Sequence, residues 1–518
     1  MTNIRILWAD DEIEYLKPHI LFLENKGYDV DTVTNGADAV DLVNKNTYDL
    51  IFLDENMPGI SGLDALKYIK ELRNDLPVVM ITKSEEEHIM EDAIGAKIED
   101  YLIKPVNPNQ ILLSIKKIID NKRLIKNSVT KGYQQDFRNI GMALFDNPNF
   151  EEWKQVYKKL VYWEMELTDT DDNGMVEVIH TQKIDANRDF GKFIEKNYLQ
   201  FIPYDNDKAP VMSHTLMRKS VLPTLEHKVP VFLLVLDNLR FDQWRTLSTG
   251  INEFFRTEQE DLYLSILPTT TQYCRNSLFA GLMPLDIEKR FPDKWSNDED
   301  EGGKNLHEAF FLQDQLQRLQ KGDLKTSYVK ILNADQGKAM ADSIPNLMSN
   351  DLNVIVYNFV DTLSHARTDS KIVRELAEDE AAYRSLTLSW FEHSPLKDAI
   401  KRMAEKDCIL IITTDHGSVR VQNPVKIIGD KNTTTNLRYK TGRNLSYNPK
   451  EVFEIKDPHK AMLPKQHMTS SFAIVKENDF FVYPNNLNHF AKYYKDTFQH
   501  GGISLEEMLV PFIVLRTK

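Results

Sequence analysis

Hydrophobic positions fall into three successive patterns along this chain. Over residues 1–120, short apolar runs alternate with amphipathic stretches. IRILWADDE, YDLIFLDEN, LPVVMITKS and EDYLIKPVN have strand length, and LDALKYIKELR between them repeats Leu63, Leu66, Ile69 and Leu72 at helical spacing. Alternating strand and helix patterns predict a parallel, doubly wound α/β sheet, a flavodoxin-like (βα)5 unit. Over residues 121–205 the strand-like runs stop. FRNIGMALF places Phe137, Ile140 and Leu144 on one helical face. NFEEWKQVYKKLVYWEMEL places Trp153, Val156, Tyr157, Leu160, Trp163 and Leu167 on another. Asn149, followed by Glu151 and Glu152, reads as a helix N-cap with acids in the first turn. A helical bundle is expected here, with the aromatic stripe as its core. Over residues 206–518 apolar, β-branched runs return in VPVFLLVLD, CILIITTDH and EEMLVPFIVL, and predict a larger α/β domain.

The residues that end these runs carry the chemistry. In the third region Asp237, Asp415 and His416 end apolar runs, Thr271 ends SILPTTT, Asp361 and His365 stand in NFVDTLSHA, and His500 opens HGGISLEEMLVPFIVL. Ligands gather at the carboxyl ends of strands in open α/β sheets, because the loops there leave a crevice. Carboxylates with imidazoles suit divalent cations, and this many donors suit two, with Zn²⁺ favoured and Mn²⁺ second. Thr271 is a weak nucleophile as a free alcohol, and coordination to a cation would lower its pKa. Thr270, one residue earlier, is the alternative position. In the first region Asp10, Asp11 and Asp54 end adjacent strands and imply a Mg²⁺ site. Asp54 can accept a phosphoryl group whose charge Lys104 helps neutralise, and Thr82 can hydrogen-bond the product.

Composition narrows the partners. The 518 residues hold 64 basic against 78 acidic side chains, a net charge of −14, with no basic arm, so sequence-specific duplex DNA binding is not expected. Residues 425–450 invert the sign locally, with Lys426, Lys431, Arg438, Lys440, Arg443 and Lys450 against Asp430. Beside a phosphate site such a loop would attract a polyanion such as an oligonucleotide. Arg240, Arg275, Asn276, Lys431 and Arg438 are candidate substrate-binding residues. The two cysteines, Cys274 and Cys408, indicate a reducing compartment. Apolar runs of strand length and a charged strand directly after Met1 indicate a cytoplasmic chain with no membrane insertion.

Two resemblances follow from these residues. Residues 1–120 resemble the receiver domain of response regulators. That implies phosphorylation of Asp54 by a sensor histidine kinase, Mg²⁺ on Asp11, Asp54 and the backbone carbonyl of Asn56, and a switch through Thr82 and Tyr101. Residues 206–518 are similar to the alkaline phosphatase superfamily, and the late HGGISLEEMLVPFIVL to its PglZ branch. That implies one Zn²⁺ on Asp361, His365 and His500, another on Asp237, Asp415 and His416, and Thr271 as nucleophile. Threonine there is similar to nucleotide phosphodiesterases of the superfamily, whereas sulfatases and cofactor-independent mutases use other residues. The fusion of the two through helices resembles regulators of type IX secretion, which implies phosphorylation-promoted homodimers. A second class of function stays open: a signalling scaffold, for instance one binding a sigma factor, with a structural metal site or plain phosphatase activity.

Overall fold

The computed structural model describes residues 4–83, 98–168, 173–203, 209–430, 433–465 and 467–518. The chain forms two compact units, Met1–Gly132 and Tyr133–Lys518. In the first, strands β1 (Arg5–Ala9), β2 (Asp29–Val33), β3 (Leu50–Asp54), β4 (Val78–Thr82) and β5 (Asp100–Ile103) form one sheet in the order β2-β1-β3-β4-β5. All four pairings are parallel. β3 and β4 are buried along their whole length, because each face of the sheet carries its own hydrophobic core. Side-chain caps start two of the flanking helices: Asn35 accepts from the Asp38 amide and Ser61 from the Asp64 amide. Gly62 is required by close approach, since a Cβ there would overlap the Asp54 carbonyl. This is the flavodoxin-like fold.

The second unit begins with helices. Helix Pro108–Phe145 carries the chain across the division, and helices Phe150–Thr168 and Asn173–Phe201 follow. Trp153, Val156, Tyr157, Leu160, Trp163 and Leu167 are all buried on the second helix, as their spacing predicts. Asn149 Oδ1 accepts from the amides of Glu151 and Glu152, and Glu152 Oε2 accepts in return from the Asn149 amide at 2.7 Å. On the helix before them Ile140 is buried, but Phe137 is 42 % exposed.

The main sheet of this unit has six strands: β6 (Val231–Leu236), β7 (Phe255–Leu264), β8 (Thr326–Ile331), β9 (Leu352–Tyr357), β10 (Ile409–Thr413) and the final strand Leu509–Thr517. Their order is β7, final strand, β10, β6, β9, β8. β8, β9, β6 and β10 run parallel, and the final strand is antiparallel to both β10 and β7. β6, β9 and β10 are buried at every position, so their carboxyl ends are set by a rigid, covered sheet. Beyond β10 the chain builds small sheets. One joins Tyr439–Gly442, Val452–Ile455 and Ser471–Val475, and another pairs Val419–Arg420 with Phe498–Gln499 just before His500. Cys274 and Cys408 are both buried, and neither forms a disulfide.

Candidate metal centre and phosphoacceptor pocket

Three adjacent parallel strands deliver the acids of the effector site. β6 ends at Asp237, and the chain turns there through Asn238 at φ 66°. β9 leads into helix Phe359–Asp369, where Asp361 and His365 stand one turn apart on one face. β10 leads to Asp415 and His416, and His500 follows the short strand Phe498–Gln499. Thr271 opens helix Thr271–Ala280, with Thr270 as its N-cap. That helix end directs positive dipole and free amides toward an anion.

These residues assemble into two triads. Asp361, His365 and His500 form one, and Asp237, Asp415 and His416 the other; within each, one ligand atom per residue lies within 4.8 Å of the rest. His500 Nε2 is 3.6 Å from Asp361 Oδ1, and His365 Nε2 is 3.5 Å from Asp361 Oδ2. His416 Nε2 is 3.8 Å from both Asp237 Oδ1 and Asp415 Oδ2. The triads adjoin, because the rings of His416 and His500 stack at 4.3 Å. Thr271 Oγ1 lies 3.3 Å from Asp237 Oδ1 and 3.1 Å from His416 Nε2, so its hydroxyl, not that of Thr270, sits at the second triad.

The electrostatics of this cluster suit cations. Burial, with Asp237 nearby, pushes the Asp415 carboxyl up to about 6, and the same two causes raise Asp361. Asp237 is also opposed by burial, but the Arg275 guanidinium and His416 hold it below the usual carboxylate range. Burial and the neighbouring imidazoles of His416 and His365 drive His500 well below its ordinary value, leaving it a neutral donor. Asp415 Oδ2 is buried without a hydrogen bond among the described residues. Carboxylates short of compensating charge, beside neutral imidazoles, fit one divalent cation per triad.

A supporting layer fixes the ligands, and sequence reasoning missed most of it. Arg275 Nη1 donates to Asp237 Oδ2 at 2.6 Å and its Nε to Glu308 Oε1 at 2.5 Å. Glu308 also receives Lys330 Nζ at 3.0 Å and the Tyr328 hydroxyl at 2.5 Å. Asn305 Nδ2 donates to the Thr271 carbonyl at 3.0 Å, and Asn238 Nδ2 to Asp361 Oδ1 at 3.4 Å. One signal was available: Arg275 lies four residues after Thr271, on the same helix face.

Four of the five expected substrate-binding residues are engaged with other parts of the protein. Arg240 is wholly buried against Asp242 and Glu380. Arg275 is spent on Asp237 and Glu308, and Asn276 donates to the backbone carbonyls of Gln272 and Lys304. Arg438 is buried on Glu507, at 2.5 Å, and on the carbonyls of Lys476, Glu477 and Asp479. Lys440 is buried as well, and burial lowers its ammonium to about 8. Lys431 lies outside the described residues. Arg438 and Lys440 of the basic run are thus turned inward, while Lys426, Arg443 and Lys450 stay exposed, a difference that sequence alone does not show. Cys274 lies buried behind the Thr271 turn, its thiol against the carbonyls of Ile266 and Pro268.

In the receiver, Lys104 Nζ bridges Asp10 Oδ2 at 2.9 Å and Asp54 Oδ1 at 3.0 Å. Asp10, Asp11 and Glu12 bring carboxylate oxygens within 4.8 Å of one another. Glu12 was not anticipated; it also pairs with Lys83 at 2.7 Å. Burial, with Asp10 beside it, raises Asp54 to about 6 against the opposing pull of Lys104. Thr82 Oγ1 donates to Glu55, the buried residue after Asp54, while Asn56 is exposed on the following turn. Tyr101 is half-buried against the hydrophobic core. This pocket suits phosphoryl transfer to a carboxylate, with a basic residue already in place.

Comparison with known proteins agrees with this division. The receiver matches the response regulator receiver domain over residues 6–116. The PorX response regulator linker domain matches over 123–202, and the BREX system PglZ alkaline phosphatase-like domain over 216–515. Residues of this chain are 32% identical to the transcriptional regulatory protein ResD of Bacillus subtilis over 118 residues, covering 23% of this chain and 49% of ResD. The response regulator SaeR of Staphylococcus aureus is 32% identical over 119 residues, covering 23% of this chain and 51% of SaeR. The chain therefore spans about half the length of these curated relatives. Among solved structures, a CheY-like receiver domain protein from Methanospirillum hungatei is 25% identical over 24% of this chain and 98% of its own, with a TM-score of 0.23. A receiver domain protein from Clostridium thermocellum is 28% identical over 23% and 98%, with a TM-score of 0.22. With the PglZ match spanning most of the chain behind a receiver and a PorX-type linker, the chain belongs to the PglZ alkaline phosphatase-like family in its response-regulator form.

Proposed function

We propose that this chain is a two-component response regulator, phosphorylated on Asp54 by a sensor histidine kinase, whose effector domain is a zinc-dependent phosphodiesterase. The observation that carries the reading is the place of Thr271 Oγ1, beside Asp237 and His416, with the His500 triad stacked against it. Divalent cations held by the two triads would stabilise the attacking and leaving oxygens and favour the threonine alkoxide. Thr271 Oγ1 then bonds to phosphorus as one of the two alcohols leaves with the threonine proton, giving a threonine phosphodiester that keeps the second alcohol, and water attacks the same phosphorus to release a phosphomonoester and restore the threonine hydroxyl. The helix start under Thr271 favours the negative charge of the phosphoryl group, and Arg275 keeps Asp237 ionised and oriented.

Oligonucleotides are the proposed substrates. The choice of threonine supports this, and Lys426, Arg443 and Lys450 of the basic segment stay exposed. The fusion supports a role in controlling type IX secretion from the cytoplasm, with phosphorylation promoting a homodimer. Among the described residues no helix is long and apolar enough to cross a membrane. The test is hydrolysis of bis-p-nitrophenyl phosphate against the mono ester, with and without Zn²⁺, for wild type and Thr271→Val. Diester turnover that needs zinc and falls by several orders of magnitude in Thr271→Val supports the reading. Turnover on the monoester alone marks a plain phosphatase, and near wild-type activity in Thr271→Val removes the threonine from the chemistry.

A further inference from the structure

One buried ionic network touches the loops of both triads, and two of its members come from the connecting helices. Glu164 lies on helix Phe150–Thr168 and Lys183 on helix Asn173–Phe201. Lys183 Nζ is 2.7 Å from Glu164 Oε2 and 3.0 Å from Glu506 Oε1. Asn187, one turn further on, donates Nδ2 to Glu506 Oε2 at 3.0 Å and accepts the Leu505 amide at 2.7 Å. The Glu506 backbone in turn packs on Gly417, the residue after His416, leaving no room for a Cβ there, and the Gly417 amide donates to the Glu507 carbonyl at 3.2 Å.

The other arm runs toward Asp237 and His500. Arg384 Nη1 is 3.4 Å from Glu164 Oε1 and 3.2 Å from Asp242 Oδ2. Asp242 receives Arg240 Nε at 2.9 Å and Nη2 at 2.5 Å, and Arg240 also pairs with Glu380. Arg240 stands three residues after Asp237, and its guanidinium lies 5.0 Å over the ring of Phe498, two residues before His500. No member of the network belongs to either triad. Burial opposes the Lys183 ammonium, but Glu164 and Glu506 overcome it and keep the side chain charged.

Buried ion pairs are a weak source of stability, since apolar groups of similar volume often do as well, and their best-attested use is to fix register. Here the register is that of the loops bearing Asp237, His416 and His500. We propose that Lys183, with Glu164, is a positioning residue of the metal centre: the connecting helices hold these loops at the spacing two cations need. The linker is then a working part of the effector, not a spacer in front of it. This inference rests on the metal-dependent reading given above.

The test uses the full-length chain with Lys183→Met, Lys183→Arg and Glu164→Gln. Three quantities are read: Zn²⁺ affinity by competition with a chromogenic chelator, kcat and KM on bis-p-nitrophenyl phosphate, and the thermal midpoint of metal-stripped protein. Lys183→Met should weaken Zn²⁺ binding about ten-fold, as for other groups that support metal ligands, and lower kcat with KM little changed. Lys183→Arg should recover most of both losses. A Lys183→Met protein with a lowered thermal midpoint but wild-type affinity and kcat overturns the inference and leaves a purely structural pair. If Lys183→Met does not fold, the milder Glu164→Gln is read against the same outcomes. A wild-type chain that takes up no Zn²⁺ overturns the proposed function and this inference together.

Discussion

Arg275 and Asp237 meet at 2.6 Å with both side chains 1 % exposed, and Arg275 stands one turn beyond Thr271 on the same helix. The helix of Thr271, the proposed nucleophile, and Asp237, a proposed metal ligand, are therefore tied through one guanidinium, whose far edge is held by Glu308 at 2.5 Å. Removing the guanidinium leaves Asp237 buried without its closest cation and Glu308 with Lys330 alone, among the described residues, as a cationic partner.

Arg275→Met should cost about 3–5 kcal/mol, the usual penalty for breaking one side of a buried pair. Arg275→Lys should recover only part of it, because an ammonium cannot span Asp237 and Glu308 as a planar fork does. Urea unfolding of metal-stripped protein reads the loss directly. A difference within about 0.5 kcal/mol of wild type, the range of ordinary surface substitutions, would mean the pair is not formed in solution.

Phosphorylation should stop at Asp54. Incubation with acetyl phosphate and Mg²⁺ should add one phosphoryl group to wild type and none to Asp54→Asn, read by intact mass. Lys104→Met should accept the group more slowly, because Lys104 supplies the positive charge between Asp10 and Asp54. Activation with beryllium fluoride should raise the mass seen by light scattering toward that of a dimer. A phosphorylated Asp54→Asn protein, or a monomer unchanged by activation, contradicts the respective claim.

Metal removal should separate the two triads. Chelation should abolish diester hydrolysis, and added Zn²⁺ should restore it. His500→Ala should lose about one of two bound ions, since Asp237, Asp415 and His416 keep their arrangement. Bound metal should also stabilise the fold, by about 2.7 kcal/mol at a free concentration a hundred times Kd. Elemental analysis finding both ions still present in His500→Ala would remove that residue from the ligand set.

Stability should depend on pH through His214. Burial, with Lys219 and Arg218 nearby, lowers this imidazole to about 3 in the folded chain, against 6.5 when exposed. Between those values the unfolded chain binds the extra proton. The folded state is therefore favoured fully above pH 6.5 and loses about 1.4 kcal/mol per pH unit as pH falls below it. His214→Gln should flatten that slope. Equal pH dependence in both proteins, from urea titrations between pH 5 and 8, would show that His214 is not buried neutral.

The fold and the acids of the site were readable because their signals are local. Asp54, Asp237 and Asp415 each close an apolar run, so strand ends and charged ends coincide, and a parallel sheet then brings those ends to one side. The helix reading of Trp153 to Leu167 succeeded for the same reason: its period is contained in a single element. Arg438 and Arg240 were misread because their partners are remote or ambiguous. Glu507 is far along the chain from Arg438, and a Lys/Arg-rich stretch looks the same whether it faces solvent or interior carbonyls. Glu308, Asn305 and Lys183 carry no local pattern at all. Their roles exist only after the loops after β6, β9 and β10 have been packed against other parts of the chain.

The final strand Leu509–Thr517 bears on how the main sheet is completed. It lies between β7 and β10, and among the described residues it is the one strand of the main sheet that β7 pairs with. While the chain is being made, β7 must wait for it with an open edge, through all of the intervening sequence. His500 arrives in the same last stretch. A nascent chain can thus own the residues of the receiver and of the Asp237, Asp415 and His416 triad, yet lack the last member of the Asp361, His365 and His500 triad. Anything that delays the pairing of Leu509–Thr517 leaves β7 as a strand prone to pairing with the wrong partner.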